Sequence, residues 1–219
     1  VKAAVVTAVY GGYDTVKPPL AQSLADVDWV CVTDEPDAVP DGWRAVHAPR
    51  PDTTSMRAAK AAKFEPWRFT DAPASVWIDA SYRVTSPDFV NEVLGYATVG
   101  QGIAQFVHPW RDCLFAEAAF SATLPKYAGE PLQEQAAAYR ERGHPEHWGL
   151  WAAGVIARLH STAVRAFGAL WAVQGALWSF QDQVSEPYAL RARGLRPMEL
   201  PGDHLTNRWL SYEGSEKHG

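Results

Sequence analysis

Hydrophobic residues in this chain gather into short unbroken runs, separated by polar and alanine-rich stretches with a different period. KAAVVTAVY (residues 2–10) has the composition of a strand buried on both faces, and it passes straight into Gly11, Gly12, Tyr13 and Asp14. DWVCVTD (28–34) is a second such run and ends on an acid, Asp34. In SVWIDAS (75–81), Val76, Trp77 and Ile78 suit a central strand, whereas Asp79 must sit where water, a cation or a hydrogen-bond donor reaches it. GIAQFVHP (102–109) and WAAGVIARLH (151–160) read as further strands. The stretch between Thr53 and Phe69 opens on Ser/Thr cap candidates and continues with helix formers, so Arg57, Lys60 and Lys63 recur at helical spacing on roughly one face. Helices are also predicted over 131–143, closed by Gly143, over 161–178, and over 181–194, where the pattern runs through Pro187 and ends at Gly194. Neither a repeat nor a low-complexity linker interrupts the alternation. It predicts one α/β domain over residues 1–219, with a mostly parallel sheet covered by helices on both faces.

Composition narrows the setting. A chain of 219 residues with 47% hydrophobic content can bury one sizeable core. Cys31 and Cys113 lie in apolar surroundings and read as buried free thiols of a reducing compartment. The longest uncharged stretch, 168–180, is too short and too rich in small and polar residues to span a bilayer, and no Arg/Lys-led apolar leader is seen; a soluble, cytoplasmic protein is expected. A net charge of -5 lacks the basic excess of a protein that grips a polyanion, so general nucleic-acid binding is not expected. Among the 10 tryptophans, Trp67, Trp110, Trp148 and Trp178 stand beside polar residues, as rings that stack on sugars often do.

Polar groups then collect at the predicted strand ends. In open α/β sheets ligands bind outside the carboxyl ends of the strands, which is where Thr7, Tyr10, Gly11, Asp34 and Asp79 fall. Neither GxGxxG nor GxxxxGK[ST] is present, so a dinucleotide fold and a P-loop NTPase are not supported. A nucleoside diphosphate fits better: base and ribose on the first strand end and Asp34, and diphosphate oxygens reached by Arg57, Lys60 or Lys63. A divalent cation, Mn²⁺ or Mg²⁺, held by Asp79 would bridge the same oxygens. The plainer alternatives are a turn cap for Asp79 and a solvated helix face for the basic row.

The ordered series GGYD (11–14), CVTD (31–34), RxxKxxKF (57–64), WIDAS (77–81), HPWRDC (108–113) with Glu117, GLWAAGVIARLHS (149–161) and DQ (182–183) resembles a small glycosyltransferase-like domain family of plant mucilage-type and bacterial enzymes. That family is similar to GT-A glycosyltransferases of the glycogenin-like kind. The resemblance implies a Rossmann-like, GT-A-like sheet and a nucleotide-sugar donor of uridine or guanosine type. It implies a catalytic part for Asp182, in contact with the transferred sugar or its acceptor hydroxyl, sugar contact at Gln183, and a late histidine, His204, completing a cation site with Asp79. His108 is a candidate acceptor-side base or cation ligand, and Arg111, Asp112, Glu117, Trp148 and Gly154 are expected around an acceptor that could be protein, glycan, lipid or a modified base. One departure stands out: where GT-A enzymes commonly carry Asp-x-Asp, this chain has Asp79-Ala80-Ser81. Two other classes stay open at this point, a non-catalytic nucleotide- or carbohydrate-binding module and a two-carboxylate glycoside hydrolase.

Overall fold

A computed structural model describes residues 2–214; the expected domain span of 1–219 runs past them at both ends. Strands β1 (Ala3–Val9), β2 (Val27–Thr33), β3 (Arg44–His47), β4 (Ala74–Ile78), β6 (Ile103–Val107), β7 (Trp151–Leu159) and β8 (Met198–Glu199) form one sheet in the order β3-β2-β1-β4-β7-β6-β8. The pairs β1/β2, β1/β4, β2/β3 and β6/β8 are parallel, while β7 runs antiparallel to both β4 and β6. The sheet is therefore mostly parallel, as the alternation predicts, with one reversed strand.

Alternate residues of β1 show how both faces are used. Ala3 and Val5 join one buried cluster with α2 (Phe89–Val99), whereas Ala4 and Val6 join another with α1 (Ser55–Phe64), α5 (Thr162–Leu177) and α6 (Asp182–Ala192). A continuous apolar run is what such a doubly covered strand requires. A third cluster binds α3 (Leu114–Ser121) and α4 (Leu132–Glu141) to the start of α6.

The strands expected at 2–10, 28–34, 75–81, 102–109 and 151–160 all form, as do the helices at 131–143, 161–178 and 181–194. Gly143 and Gly194 end their helices at φ 75° and 66°, the left-handed conformation that suits glycine. The helix expected between 53 and 69 is shorter: α1 ends at Phe64, because Pro66 disfavours helical backbone at Glu65, and a single 3-10 turn follows at Pro66–Arg68. The structure adds helices α2 and α3, strand β3, the edge strand β8 and a small antiparallel sheet of β5 (Tyr82–Val84) with β9 (Leu210–Tyr212) to the elements that the pattern predicts. Cys31 and Cys113 are free and buried, and burial pushes the Cys31 thiol up to about 12. Among the described residues no helix is long and apolar enough to cross a membrane.

Candidate active site

The carboxyl ends of β1 and β4 open onto a cleft of about 1010 Å³, and the antiparallel β7 adds its first residues to the same edge. At the end of β1, Gly11 and Gly12 take φ 57° and 58°, and the Tyr13 amide donates to the Tyr10 carbonyl at 3.2 Å. Two successive left-handed residues make the tight turn that glycine permits. Asp34, at the end of β2, fastens this turn by accepting from the Gly11 amide at 2.8 Å. Tyr10 lines the cleft; Thr7 is buried one step back, its hydroxyl without a partner.

Asp79 leaves β4 with its amide donating to the Gly154 carbonyl at 2.9 Å. The antiparallel register of β4 and β7 pairs Ile78 with Val155, which sets Gly154 beside Asp79. A Cβ at Gly154 would lie 2.9 Å from Tyr82 Cε2 and 3.3 Å from Asp79 Oδ2, so only glycine fits this close approach. Asp79 Oδ1 accepts from Trp77 Nε1 at 2.7 Å and pairs with Lys63 Nζ at 3.0 Å.

Helix α1 brings two lysines to the cleft wall. Thr54 caps its start by accepting from the Arg57 amide at 3.2 Å, and at its end Arg158 of β7 donates to the carbonyls of Lys63 and Phe64. Helix ends leave such groups without internal partners, so these contacts fix α1 at both termini. Lys60 Nζ and Lys63 Nζ both donate to a single oxygen, Asp182 Oδ2, at 2.6 and 2.7 Å. Burial opposes the Asp182 charge, but the two ammoniums overcome it and hold the carboxyl far below the ordinary carboxylate range. For Lys63, burial works against the ammonium while Asp182 and Asp79 more than restore it, so its pKa lies above the usual lysine value. Lys60 goes the other way: burial, with the Lys63 charge adding, outweighs Asp182 and lowers its pKa.

Much of the remaining cleft lining is aromatic. Tyr82, Trp110, Tyr127, Phe180 and Tyr212 line it, together with Gln183, His204 and Leu205. Trp110 is 66% exposed and its ring stands edge-on to His108 and His204, with centroids 5.6 and 6.0 Å away. The His204 Nδ1 is buried without a hydrogen-bond partner, and burial lowers the pKa of the ring.

No family model matches the chain. No curated protein matches it in sequence. Among solved structures, the apo form of WbbM, a bifunctional glycosyltransferase, is similar in fold, with a TM-score of 0.54 at 14% identity. The match covers 91% of this chain and 39% of that one, so the chain spans well under half of that protein's length. The likeness establishes a glycosyltransferase-type α/β fold.

The residues singled out from sequence separate into two groups. Tyr10, Lys60, Lys63, Asp79, Gly154, Gln183 and His204 come together around the cleft. The others lie elsewhere. Arg57 turns away and donates to Gly175 O, Trp178 O and Glu130 Oε2. Asp182 is 4% exposed and faces the lysines rather than the open cleft. His108 is buried, with Nδ1 accepting from the Trp110 and Arg111 amides at 3.3 and 3.1 Å, so it holds a turn as a neutral ring whose pKa burial lowers. Glu117 is buried among Arg111, Ser121 and Gln181, and Asp112 pairs with His147 on the surface. Trp148 packs against Trp151 and Arg196. Of the four tryptophans expected to face sugar, Trp110 alone among the described residues lines the cleft.

Whether these side chains suit a resident divalent cation can be read from the donor set. Asp79 and His204 both line the cleft, but the position two beyond Asp79 is a serine, and among the described residues no three His, Cys, Asp or Glu side chains stand close enough to hold a metal ion. Asp79 Oδ1 is already shared by an indole N–H and an ammonium. Hard cations take oxygen-rich sites. This donor set does not fit one.

Proposed function

We propose that the protein is a glycosyltransferase that moves a sugar from a nucleoside-diphosphate sugar to an acceptor hydroxyl. The observation that carries the reading is the pair Lys60 and Lys63, locked by one carboxylate at the carboxyl edge of the sheet and turned toward a cleft wide enough for a nucleotide sugar. The glycosyltransferase-type fold supports it. In the transfer, the acceptor oxygen bonds to the anomeric carbon, the bond from that carbon to the diphosphate breaks, and its electron pair leaves with the diphosphate while the acceptor proton passes to water. Fixed positive groups aimed at the oxygen where charge develops lower that barrier. Tyr10 and the Asp34-fastened turn lie where base and ribose would bind, Asp79 and Gln183 where the sugar would sit, and Trp110 offers an acceptor sugar a flat apolar face.

A two-carboxylate hydrolase fits less well. Its general acid must stay protonated near neutral pH, and Asp182 is held ionised by two ammoniums. The test is a panel of nucleotide sugars and free nucleoside diphosphates, read by melting shift and by product mass. A diphosphate at ~100 times its dissociation constant adds about 2.7 kcal/mol of stability. Absence of any shift would remove the donor site, and binding without transfer or slow donor hydrolysis would favour a binding module.

A further inference from the structure

We infer that the donor diphosphate is bound without a divalent cation, by the Lys60 and Lys63 ammoniums, with Asp182 as the residue that positions them. The inference rests on the donor-site reading above and gives it a charge-neutralising device. Three features of the cleft wall lead to it. First, the place at the end of β4 where a cation would need carboxylate oxygens holds an ammonium instead: Lys63 Nζ lies 3.0 Å from Asp79 Oδ1, and the same oxygen accepts from Trp77. A divalent ion there would face a like charge and one remaining carboxylate oxygen. Second, Asp182 spends its Oδ2 on both lysines, so their nitrogens can be no farther apart than the sum of those two short bonds. Two ammoniums held this close can give charge-assisted hydrogen bonds to one diphosphate. Third, an ammonium has three N–H donors. Lys60 gives one to Asp182, and Lys63 gives one to Asp182 and one to Asp79, which leaves donors on both for a ligand in the cleft.

Asp182 does not touch the ligand in this arrangement. It sets where the ammoniums point and keeps them charged. Binding a dianion beside Lys60, whose pKa is lowered in the free protein, draws a proton onto that lysine at alkaline pH. Lys126 also lines the cleft.

The experiment is calorimetric titration with uridine diphosphate, guanosine diphosphate and inorganic pyrophosphate, in chelator and again with Mn²⁺ or Mg²⁺. The dissociation constant in chelator is expected to match that with the cations. Lys60→Met should weaken binding roughly 10- to 150-fold, the loss of one charge-assisted hydrogen bond. Asp182→Asn should weaken binding and also move the alkaline decline of affinity to lower pH, because the lysines lose the carboxylate that keeps them protonated; an equal loss at every pH would mean a merely structural part for Asp182 and would overturn its positioning role. Should Asp182→Asn fail to fold, Lys60→Met decides, since Lys60 lies at the cleft wall with its side chain 19% exposed. Diphosphate binding that appears only on adding Mn²⁺ or Mg²⁺ would refute the cation-free clamp and leave the donor site standing. No diphosphate binding under either condition would refute the donor site itself.

Discussion

Asp182→Asn should destabilise the fold by an amount that the site's geometry sets. The substitution keeps the side-chain shape but removes the charge between two ammoniums at 2.6 and 2.7 Å. Taking one partner from a buried pair costs about 3–5 kcal/mol, because the other charge is left desolvated. Here the lower end applies: Lys63 retains Asp79 at 3.0 Å, and Lys60 keeps 19% of its side-chain surface in solvent. For a domain of this size a loss of about 3 kcal/mol corresponds to a melting temperature roughly 6–12 °C lower. The pH dependence has a definite sign. Since the Asp182 pKa is depressed on folding, its contribution is fully present above the unfolded carboxylate value, about 3.9, and fades as pH falls below it. Melting curves by circular dichroism should therefore show a constant gap between wild type and Asp182→Asn from neutral pH down to about pH 5, closing only below about pH 4. A gap smaller than about 2 °C at neutral pH, or one that widens in acid, would refute the claim that this carboxylate is ionised and pinned between the lysines.

Other consequences can be measured on the same preparation. Gly154→Ala places a methyl 2.9 Å from the Tyr82 ring and 3.3 Å from Asp79 Oδ2; overpacking of this kind costs about 1–3 kcal/mol, and calorimetry should show weaker diphosphate binding alongside the lower melting point. Trp110→Ala, at a residue 66% exposed, should leave stability within about 0.5 kcal/mol while raising the Michaelis constant for a carbohydrate acceptor; an unchanged constant would separate the ring from the acceptor. Glu186 is fully buried with neither oxygen hydrogen-bonded, and burial pushes its carboxyl up to about 8. Such a group costs stability as pH climbs from its unfolded value, about 4.3, toward 8, so Glu186→Gln should raise the melting temperature at pH 8 and lose that advantage near pH 4.

The sheet is more legible in the sequence than the site. β1, β2, β4 and β7 announce themselves because helices cover both faces of the sheet, which demands continuous apolar runs. β5 and β9 are three-residue strands far apart in the chain that pair with each other, so neither carries a periodic signal of its own, yet they bring Tyr82 and Tyr212 to the cleft. The basic row in α1 is visible, but its common face is not real. Three-residue steps walk about 60° around a helix of 3.6 residues per turn, which puts Arg57 about 120° from Lys63. Arg57 accordingly meets Glu130 and the end of α5 while the lysines meet Asp182. That pairing joins residues 119 and 122 positions apart, and no local pattern encodes it. His108 and Glu117 stand out as dense polar residues after a strand, and burial turns both into supports for the turn and helix that follow.

Asp182 and Glu186 stand one turn apart on α6, both buried, and their environments drive them to opposite protonation states. Two ammoniums at hydrogen-bond distance keep Asp182 ionised, whereas for Glu186 burial outweighs the help of Gln105, Lys63 and Arg158, and its carboxyl is pushed up to about 8. Burying charged groups is a poor route to stability, since apolar residues of similar volume often do as well or better. A fold that needed only to attach α6 to α1 could use the neutral packing it already employs around Glu186. The ionised carboxylate and its lysines occur instead at the one end of α6 that borders the cleft, where fixed positive charge can act on a ligand. The contrast between these two acids on a single helix is thus the best internal argument that the ion cluster serves the site rather than the core.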